Sequence, residues 1–205
     1  MEIDLSELAP RDVYFRMIST IVPRPIAWVS TVSIDGKPNL APFSFFTGVT
    51  SKPPTLVFCV GNKRGGVPKD TVANIMATGE FVVNMVCETL TQSMVQTSAP
   101  YDASIDEFQA AGVEQCPAVR VSAPRVAAAP VCYECTLHEI VEIKHGDRIT
   151  SRMVIGNILH MHISDDVLSS TGEVDIARLN PVSRLGGQLY GLVGEPFEIP
   201  RPTAE

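Results

Sequence analysis

Short runs of β-branched and aromatic residues, separated by turn residues, occupy most of the chain. They predict strands over Ile26–Ser33, Asn39–Phe46, Thr55–Val60, Phe81–Val86, Val119–Ala129, Val131–Lys144 and Ile149–Ile163. A turn at His145-Gly146-Asp147 is predicted between the last two. Many β runs joined by short turns, with few helices, favour a mainly β protein built as a closed or nearly closed barrel.

The dipeptide Asp35-Gly36 stands between two β-rich runs. It is a strong hairpin signal, because both residues tolerate positive φ. The second arm contains Pro42, which cannot donate a ladder hydrogen bond and so predicts an edge strand. Within Ala41–Phe46 a single Ser44 stands among three phenylalanines. Such a wall could hold a flat aromatic ligand; an edge strand with a packed aromatic face is the alternative.

Helical patterns are few and short. They predict helices over Pro10–Ser19, Asp70–Thr78 and Glu88–Gln96, and a helical piece near Ile105–Ala111 within the excursion Ser98–Gly112. The last two predict a helical insertion in a β protein. The stretch Thr47–Pro54 is rich in hydroxyls and closed by two prolines, which predicts a loop. No repeat, linker or second domain is evident, so residues 1–205 are predicted to form one domain.

Basic residues are concentrated in one stretch of an acidic chain. Lys63, Arg64 and Lys69 lie within seven residues of one another, although the net charge of the chain is −7. Asp70 or Thr71 would cap the helix that follows, which places Lys69 beside the first helical N–H groups. A helix N-terminus next to a cation is a ready anion site. Plain capping with a solvated lysine is the alternative.

A further cation, Arg24, stands between two prolines. Each proline disfavours helix in the residue before it, so Arg24 is expected on extended and rigid backbone. Its guanidinium could reach an anionic group of a ligand, or remain solvated or ion-paired.

The composition argues against several classes of partner. A net charge of −7 leaves no basic balance to hold a nucleic acid. The N-terminal residues Met1–Glu7 are acidic and polar, unlike a signal peptide, and no run reaches the roughly 18 apolar residues of a membrane helix. We therefore expect a cytoplasmic protein with no nucleic-acid or membrane partner. Its charged content of 19% is low, which fits a chain that buries surface against a second copy.

The cysteines and histidines predict no metal centre. Cys132 and Cys135 have the spacing of a redox or metal motif, but they lie in a predicted strand. Residues three apart on a strand point to opposite faces, so buried structural thiols are favoured over dithiol chemistry or metal ligation. His160 and His162 share a strand face, but no third ligand stands at a convincing spacing. A surface or interface pair is the preferred interpretation.

A collinear series of motifs spans nearly the whole chain. It comprises Val22–Thr31, Asn39–Phe46, Pro53-Pro54, Lys69-Asp70-Thr71 with Asn74-Ile75, Gly79–Asn84, Asp106-Glu107-Phe108 with Ala111-Gly112, Glu134-Cys135, and Arg184–Gly187 with Tyr190. In order and spacing this series resembles the flavin reductase-like family of FMN-binding split barrels, with flavoredoxin-type members the most similar in pattern. Any one of the short motifs alone would be weak.

The resemblance implies a Greek-key split β-barrel that forms a homodimer and binds FMN at the subunit interface. FMN is favoured over FAD as the cofactor. It implies NADH or NADPH as reductant and an oxygenase or another electron acceptor as partner. By motif, the isoalloxazine would lie along Asn39, Pro42, Ser44, Phe45 and Phe46. The ribityl and phosphate groups would meet Thr50, Ser51, Lys69 and Thr71, with backbone contacts from Cys59 and Val60. Ala41, Phe43 and Asp70, within the same motifs, are further cofactor-binding candidates. Arg24, Arg184 and Tyr190 complete the candidate set.

One departure from the family pattern concerns the nicotinamide. Reductases of this kind that feed monooxygenases often carry Gly-Asp-His before the last long strand, where the histidine lies near the nicotinamide. This chain has Gly146-Asp147-Arg148. Arg148 and His162 are therefore only candidate residues on the nicotinamide side. A flavoredoxin-like electron carrier without its own nicotinamide site is the alternative to an NAD(P)H-dependent flavin reductase.

Overall fold

The computed structural model describes residues 1–203 and is dominated by antiparallel strands. The strands are β1 (Arg24–Pro25), β2 (Ala27–Val32), β3 (Pro38–Phe43), β4 (Phe46–Ser51), β5 (Pro54–Gly61), β6 (Glu80–Met85), β7 (Gln115–Cys116), β8 (Arg125–Val126), β9 (Val131–His145), β10 (Arg148–Ile163), β11 (Ser183–Gly186) and β12 (Leu189–Gly191). The helices are α1 (Pro10–Thr20), α2 (Asp70–Thr78), α3 (Thr91–Gln96), α4 (Glu107–Ala110) and α5 (Ile176–Leu179), with single 3₁₀ turns between some elements.

The central sheet curls back on itself. Its seven strands run in the order β3-β2-β6-β9-β10-β5-β4. Long connections place β6 beside β2 and β10 beside β5, which is typical of a Greek-key arrangement. The two outermost strands, β3 and β4, are consecutive in the chain and are joined only by Ser44 and Phe45. The N–H of Cys59 donates to the carbonyl of Phe45 at 2.8 Å. The two edges of the sheet are thereby brought together as a split barrel.

Aromatic and aliphatic side chains fill the barrel interior. The ring of Phe58 contacts those of Phe43 and Phe81, with centroids 5.4 and 5.5 Å apart; the first pair is tilted and the second is edge-to-face. Helix α2 adds Val72 and Ile75 to the same cluster. A side chain removed from this cluster would leave a cavity, because its members are buried almost completely.

A second core lies on the outer face of the same sheet. Along β2 the side chains alternate, so Ala27 belongs to the interior cluster and Trp28 to the outer one. The outer cluster includes Met94 from α3 and Phe108 from α4. The predicted helical insertion is therefore confirmed as two short helices that cover the outside of β2 and β3. Since both faces of β2 are buried, its polar residues Ser30 and Thr31 are buried along with Ala27, Trp28 and Val29.

The close approach of Phe81 requires glycine at position 156. A Cβ atom placed on Gly156 would stand 2.3 Å from Cζ of Phe81, and this ring cannot move freely because it is fully buried against Phe58. We expect Gly156→Ala to lower the free energy of unfolding by about 1–3 kcal/mol in chemical denaturation. Gly61→Ala is the matched control, since nothing lies within 4 Å of its Cβ position. Equal denaturation midpoints for the two variants would contradict this packing.

Several local predictions are confirmed. Gly36 adopts φ of 80° in the turn between β2 and β3, and β3 is an edge strand, as Pro42 predicts. Helix α2 ends at Gly79, which is left-handed (φ 72°) and donates to the carbonyl of Ile75 at 2.8 Å. Cys132 and Cys135 are buried on opposite faces of β9. Burial raises the pKa of Cys132 to about 11 and raises that of Cys135 as well, so both remain thiols at neutral pH.

Three element predictions are wrong. The expected strand Val119–Ala129 contains only the two residues of β8, and most of the expected loop Thr47–Pro54 lies within β4. The third, a continuous strand Asn39–Phe46, is interrupted at Ser44-Phe45 between β3 and β4. The first error arises because the carboxylate of Glu134 accepts the N–H groups of Val119 and Arg120, which keeps that segment as a loop over the sheet. The second arises because β5 provides a ladder partner for these exposed hydroxyl residues. Among residues 1–203, no helix is long and apolar enough to cross a membrane.

Candidate flavin cleft

A cleft of about 590 Å³ opens between β3, the start of α2 and the helical insertion. It brings together six of the predicted cofactor residues, namely Asn39, Ala41, Pro42, Lys69, Asp70 and Thr71. The opposite wall was not predicted as part of a site and consists of Thr97, Ser98, Ala99, Pro100, Tyr101 and Glu107. Lys63 and Arg64 complete the lining.

The basic end of the cleft is the start of α2. Lys69, rather than the expected Asp70 or Thr71, is the N-cap residue, and no side chain caps the helix. The first N–H groups of α2 therefore have no side-chain partner from the cap. Asp70 instead binds Lys63, whose ammonium lies 2.7 Å from both carboxylate oxygens.

Lys69 lies at this end of the cleft without a carboxylate partner among residues 1–203, as does Arg64. The Lys69 ammonium lies 5.6 Å from the centroid of the Phe43 ring. Partial burial lowers the pKa of Lys69, and repulsion from Lys63 lowers it further. An anion at the N-terminus of α2 would relieve both effects.

Two buried polar side chains connect β3 to α2. The amide nitrogen of Asn39 donates to the hydroxyl of Thr71 at 3.1 Å, which fixes the orientation of the amide. One turn later, Asn74 donates to Thr31 at 3.0 Å. Helix α2 is thus held against the strands by polar contacts as well as by its apolar face, and the side chains of Asn39 and Thr71 are positioned at the cleft.

The wall from the insertion is anchored in the outer core. The indole nitrogen of Trp28 donates to the hydroxyl of Thr97 at 2.9 Å, and this hydroxyl donates to the carbonyl of Met94 at 2.7 Å. Thr97 is the first wall residue, and Tyr101 is the last residue of that stretch. Sequence reasoning missed this wall because Thr97–Tyr101 has no periodicity and becomes part of the site only through a contact with a strand 69 residues earlier.

A carboxylate also lines the cleft. Glu107 begins α4 and is only 8% exposed. Its Oε2 accepts the N–H of Leu40 at 3.2 Å, on the open edge of β3. Burial raises the pKa of Glu107, with smaller contributions from the charges of Asp70 and Asp106.

Other predicted residues lie in a second cleft. Phe46, Thr50 and Ser51 line it with Tyr133 and Ile158, and its volume is about 450 Å³. Ser51 pairs with Pro54 at the start of β5, whereas Lys63 follows the end of the same strand. At about 3.3 Å per residue the eight residues of β5 span roughly 25 Å. A single chain therefore does not bring Thr50 and Ser51 to the basic end of the first cleft.

A third group lies where β1 meets β11. Arg24 is buried, and its guanidinium donates to the carbonyl of Ile18 at 2.6 Å, so it caps the end of α1. It also lies 5.8 Å from the centroid of Phe45. Arg184, its partner across the ladder, lies 4.4 Å from the centroid of Tyr190. These residues are separate from both clefts in one chain.

The remaining candidates have different surroundings. Phe43 and Val60 point into the barrel, Ser44 lies in the link between β3 and β4, and Cys59 meets that link through its N–H group. Arg148 is exposed at the start of β10.

The candidate His162 lies on the outer face of the sheet and hydrogen-bonds Glu134. Burial raises the pKa of Glu134, but its bonds with the Val119 N–H, His162 and the Arg120 N–H outweigh this and lower it. His160 shares the face, with its ring centroid 4.7 Å away from that of His162. Neither histidine lines the first cleft.

The curled sheet and its helical cover define an FMN-binding split barrel, and comparison with solved structures shows the same fold. Nitrilotriacetate monooxygenase component B from Bacillus cereus matches with a TM-score of 0.93 and 30% identity over 97% of this chain and 98% of that one. The 2-nitrobenzoate 2-nitroreductase from Pseudomonas fluorescens matches with a TM-score of 0.88 and 30% identity, over 99% and 97%.

The sequence comparisons identify the family. A model of the flavin reductase like domain matches residues 18–177. An uncharacterized protein of Halalkalibacterium halodurans is 36% identical over 204 residues, which is 99% of this chain and 97% of that protein. The chain therefore belongs to the flavin reductase-like family, as the motif series predicts.

Proposed function

We propose that this protein binds FMN in the first cleft and acts as an NAD(P)H-dependent flavin reductase, supplying reduced flavin or electrons to a partner oxygenase or other acceptor. The observation that carries the proposal is the uncapped N-terminus of α2 beside the unpaired Lys69. A dipole, free N–H donors and a cation together favour a phosphate group.

The chemistry of the lining residues fits the other parts of FMN. Asn39 and Thr71 offer polar atoms for the ribityl hydroxyls, and Ala41 and Pro42 offer an apolar surface for the ring. A volume of about 590 Å³ is typical of a cofactor site. Because Lys63 is already bound by Asp70, Lys69 and Arg64 are the lining cations left for a ligand, which suffices for the single phosphate of FMN.

In this proposal bound FMN would supply the redox chemistry, namely hydride uptake and electron transfer. The chain supplies binding and orientation. Lys69 balances the phosphate charge, Asn39 is held in one orientation by Thr71, and the wall from Thr97 to Tyr101 shields one side from water. NADH or NADPH would approach from the open side.

A homodimer is part of the proposal. One chain separates Thr50 and Ser51 from Lys69 by the length of β5, so a flavin that touched both groups would need them from two subunits. Arg184 and Tyr190 would likewise reach the site from the second copy. Exposed apolar residues on α1, such as Tyr14 and Phe15, support an interface. The five free cysteines are consistent with a protein of the reducing cytoplasm, where disulfides are rare.

An electron carrier reduced by another protein is the second candidate function. The observation that favours it is Arg148, which replaces the histidine found in many reductases and is exposed at the tip of the β9–β10 hairpin. In that case FMN would stay bound and neither nicotinamide would reduce it directly.

Anaerobic mixing of the FMN-loaded protein with NADH and with NADPH tests the proposal. We expect the yellow flavin absorbance to bleach within a catalytic time with at least one of them. Chemical reduction with dithionite is the control, because it bleaches any accessible flavin. Bleaching by dithionite alone would indicate the carrier, and failure to bind FMN at all would overturn both functions.

A further inference from the structure

Glu107 places a carboxylate in the cleft that is proposed to bind the phosphate of FMN. Its side chain lines the same space as Lys69 and the start of α2, yet phosphate and carboxylate repel one another. Within residues 1–203 no cation pairs with the Glu107 carboxylate. The carboxylate accepts a hydrogen bond from the N–H of Leu40. That hydrogen bond needs only an acceptor oxygen and does not require a negative charge.

The charged residues that line the cleft show how much Glu107 changes its net charge. Lys63, Arg64 and Lys69 line it as cations, and Asp70 and Glu107 line it as carboxylates. Asp70 is committed to Lys63 at 2.7 Å. Glu107 is therefore the carboxylate of this lining that has no cation partner, and it halves the positive charge that Arg64 and Lys69 leave on the lining.

We propose that Glu107 lowers the affinity of the cleft for the phosphate of FMN. The flavin would then dissociate and pass to the acceptor instead of remaining as a permanent prosthetic group. This rests on the proposed function, because it deepens the role of the same cleft. A protein that supplies reduced flavin must release it, and one uncompensated carboxylate beside the phosphate site lowers affinity without altering the shape of the cleft.

The proposal predicts coupling between proton uptake and binding. Protonation of Glu107 removes the repulsion, so FMN should bind more tightly below the pKa of Glu107 than above it. The direction of the pKa shift, which is upward, moves this change toward neutral pH. The ionisable and charged groups around Glu107 are Asp35, Lys37, Lys63, Arg64, Lys69, Asp70, Tyr101 and Asp106.

Glu107→Gln is the informative variant, because glutamine keeps an acceptor for the Leu40 N–H and removes the charge. At pH 8 we expect it to bind FMN about three- to tenfold more tightly than the wild type, the effect of one nearby charge in a partly solvated site. Riboflavin, which lacks the phosphate, should bind the two proteins equally. Quenching of flavin fluorescence measures both affinities. The FMN-to-riboflavin affinity ratio within each protein cancels any general damage to the cleft.

Asp106→Asn is the matched control. It removes an equal charge at the next residue, and asparagine can still cap α4, as the Asp106 carboxylate does by accepting the Phe108 N–H at 2.8 Å. Asp106 does not line the cleft, so its FMN-to-riboflavin ratio should change far less.

A pH series completes the test. The advantage of Glu107→Gln over wild type should be largest above the pKa of Glu107 and shrink toward zero as the pH falls through that pKa, because Glu107 then takes up its proton. Titration of the FMN phosphate affects both proteins and cancels in this comparison.

The outcomes separate the two proposals. Equal FMN affinity in wild type and Glu107→Gln at pH 8 would overturn the role of Glu107 and leave the reductase proposal standing. Weaker binding of both flavins by the variant would also overturn it, since Glu107 would then be a direct ligand of the flavin. Failure of the wild type to bind FMN would overturn the proposed function and this inference together.

Discussion

Lys69→Ala should weaken FMN binding by about 1.5–3 kcal/mol, or roughly 10- to 150-fold, if the ammonium makes a charged hydrogen bond to the phosphate. The expected loss is large because Lys69 lies at the uncapped start of α2 and has no carboxylate partner in the described chain. Its charge is therefore available to a ligand. Fluorescence titration of the variant with FMN measures the effect.

Two controls separate this effect from a general loss of charge. Lys52→Ala removes an equal charge on the exposed turn between β4 and β5, outside both clefts, and should leave FMN affinity unchanged. Riboflavin should bind Lys69→Ala and wild type with similar affinity, because it lacks the phosphate. Unchanged FMN affinity in Lys69→Ala would remove this residue from the site.

Trp28→Ala should lower the free energy of unfolding by about 3–5 kcal/mol. Trp28 is completely buried in the outer core beside Met94 and Phe108, so truncation leaves a large cavity between β2 and the helical insertion. It also removes the hydrogen bond to Thr97, the first residue of the cleft wall. Denaturant unfolding measures the loss, and FMN binding under native conditions should weaken with it.

Thr97→Val separates the hydrogen bond from the packing. Valine has the shape of threonine but leaves the buried indole N–H of Trp28 without its acceptor, at a cost of about 1–3 kcal/mol. Phe197→Ala, which truncates an exposed aromatic ring near the C-terminus, is the control for loss of an aromatic side chain. If Trp28→Ala cost no more than Phe197→Ala, the insertion would not depend on this core.

Local signals in the sequence predicted the elements that depend on local physics. Asp35-Gly36 predicted the hairpin because the turn requires positive φ, and Gly79 predicted the end of α2 for the same reason. Pro42 predicted an edge strand because it lacks an N–H group. Val119–Ala129 was predicted as a strand because its composition resembles one, yet the carboxylates of Glu134 and Glu80 hold it as a loop.

The candidate site was predicted only in part, because some of its residues meet through contacts between segments far apart in sequence. Asn39, Pro42 and Lys69 belong to motifs that are contiguous in sequence, and the structure brings them to one cleft. Glu107 and Thr97–Tyr101 belong to an insertion whose position depends on how it packs against β2 and β3. Nothing in their own pattern shows which strands they will meet.

By itself the sequence determined the family, the barrel class and the basic start of α2, because turns, caps and strand periodicity depend on neighbouring residues. Tertiary structure alone decided that the insertion faces Lys69, that Asp70 is taken by Lys63, and that Thr50 and Ser51 lie a strand length away. Those relations depend on the closure of the sheet, which joins residues far apart in sequence through burial and hydrogen bonding. The pattern along the chain carries no direct record of such contacts.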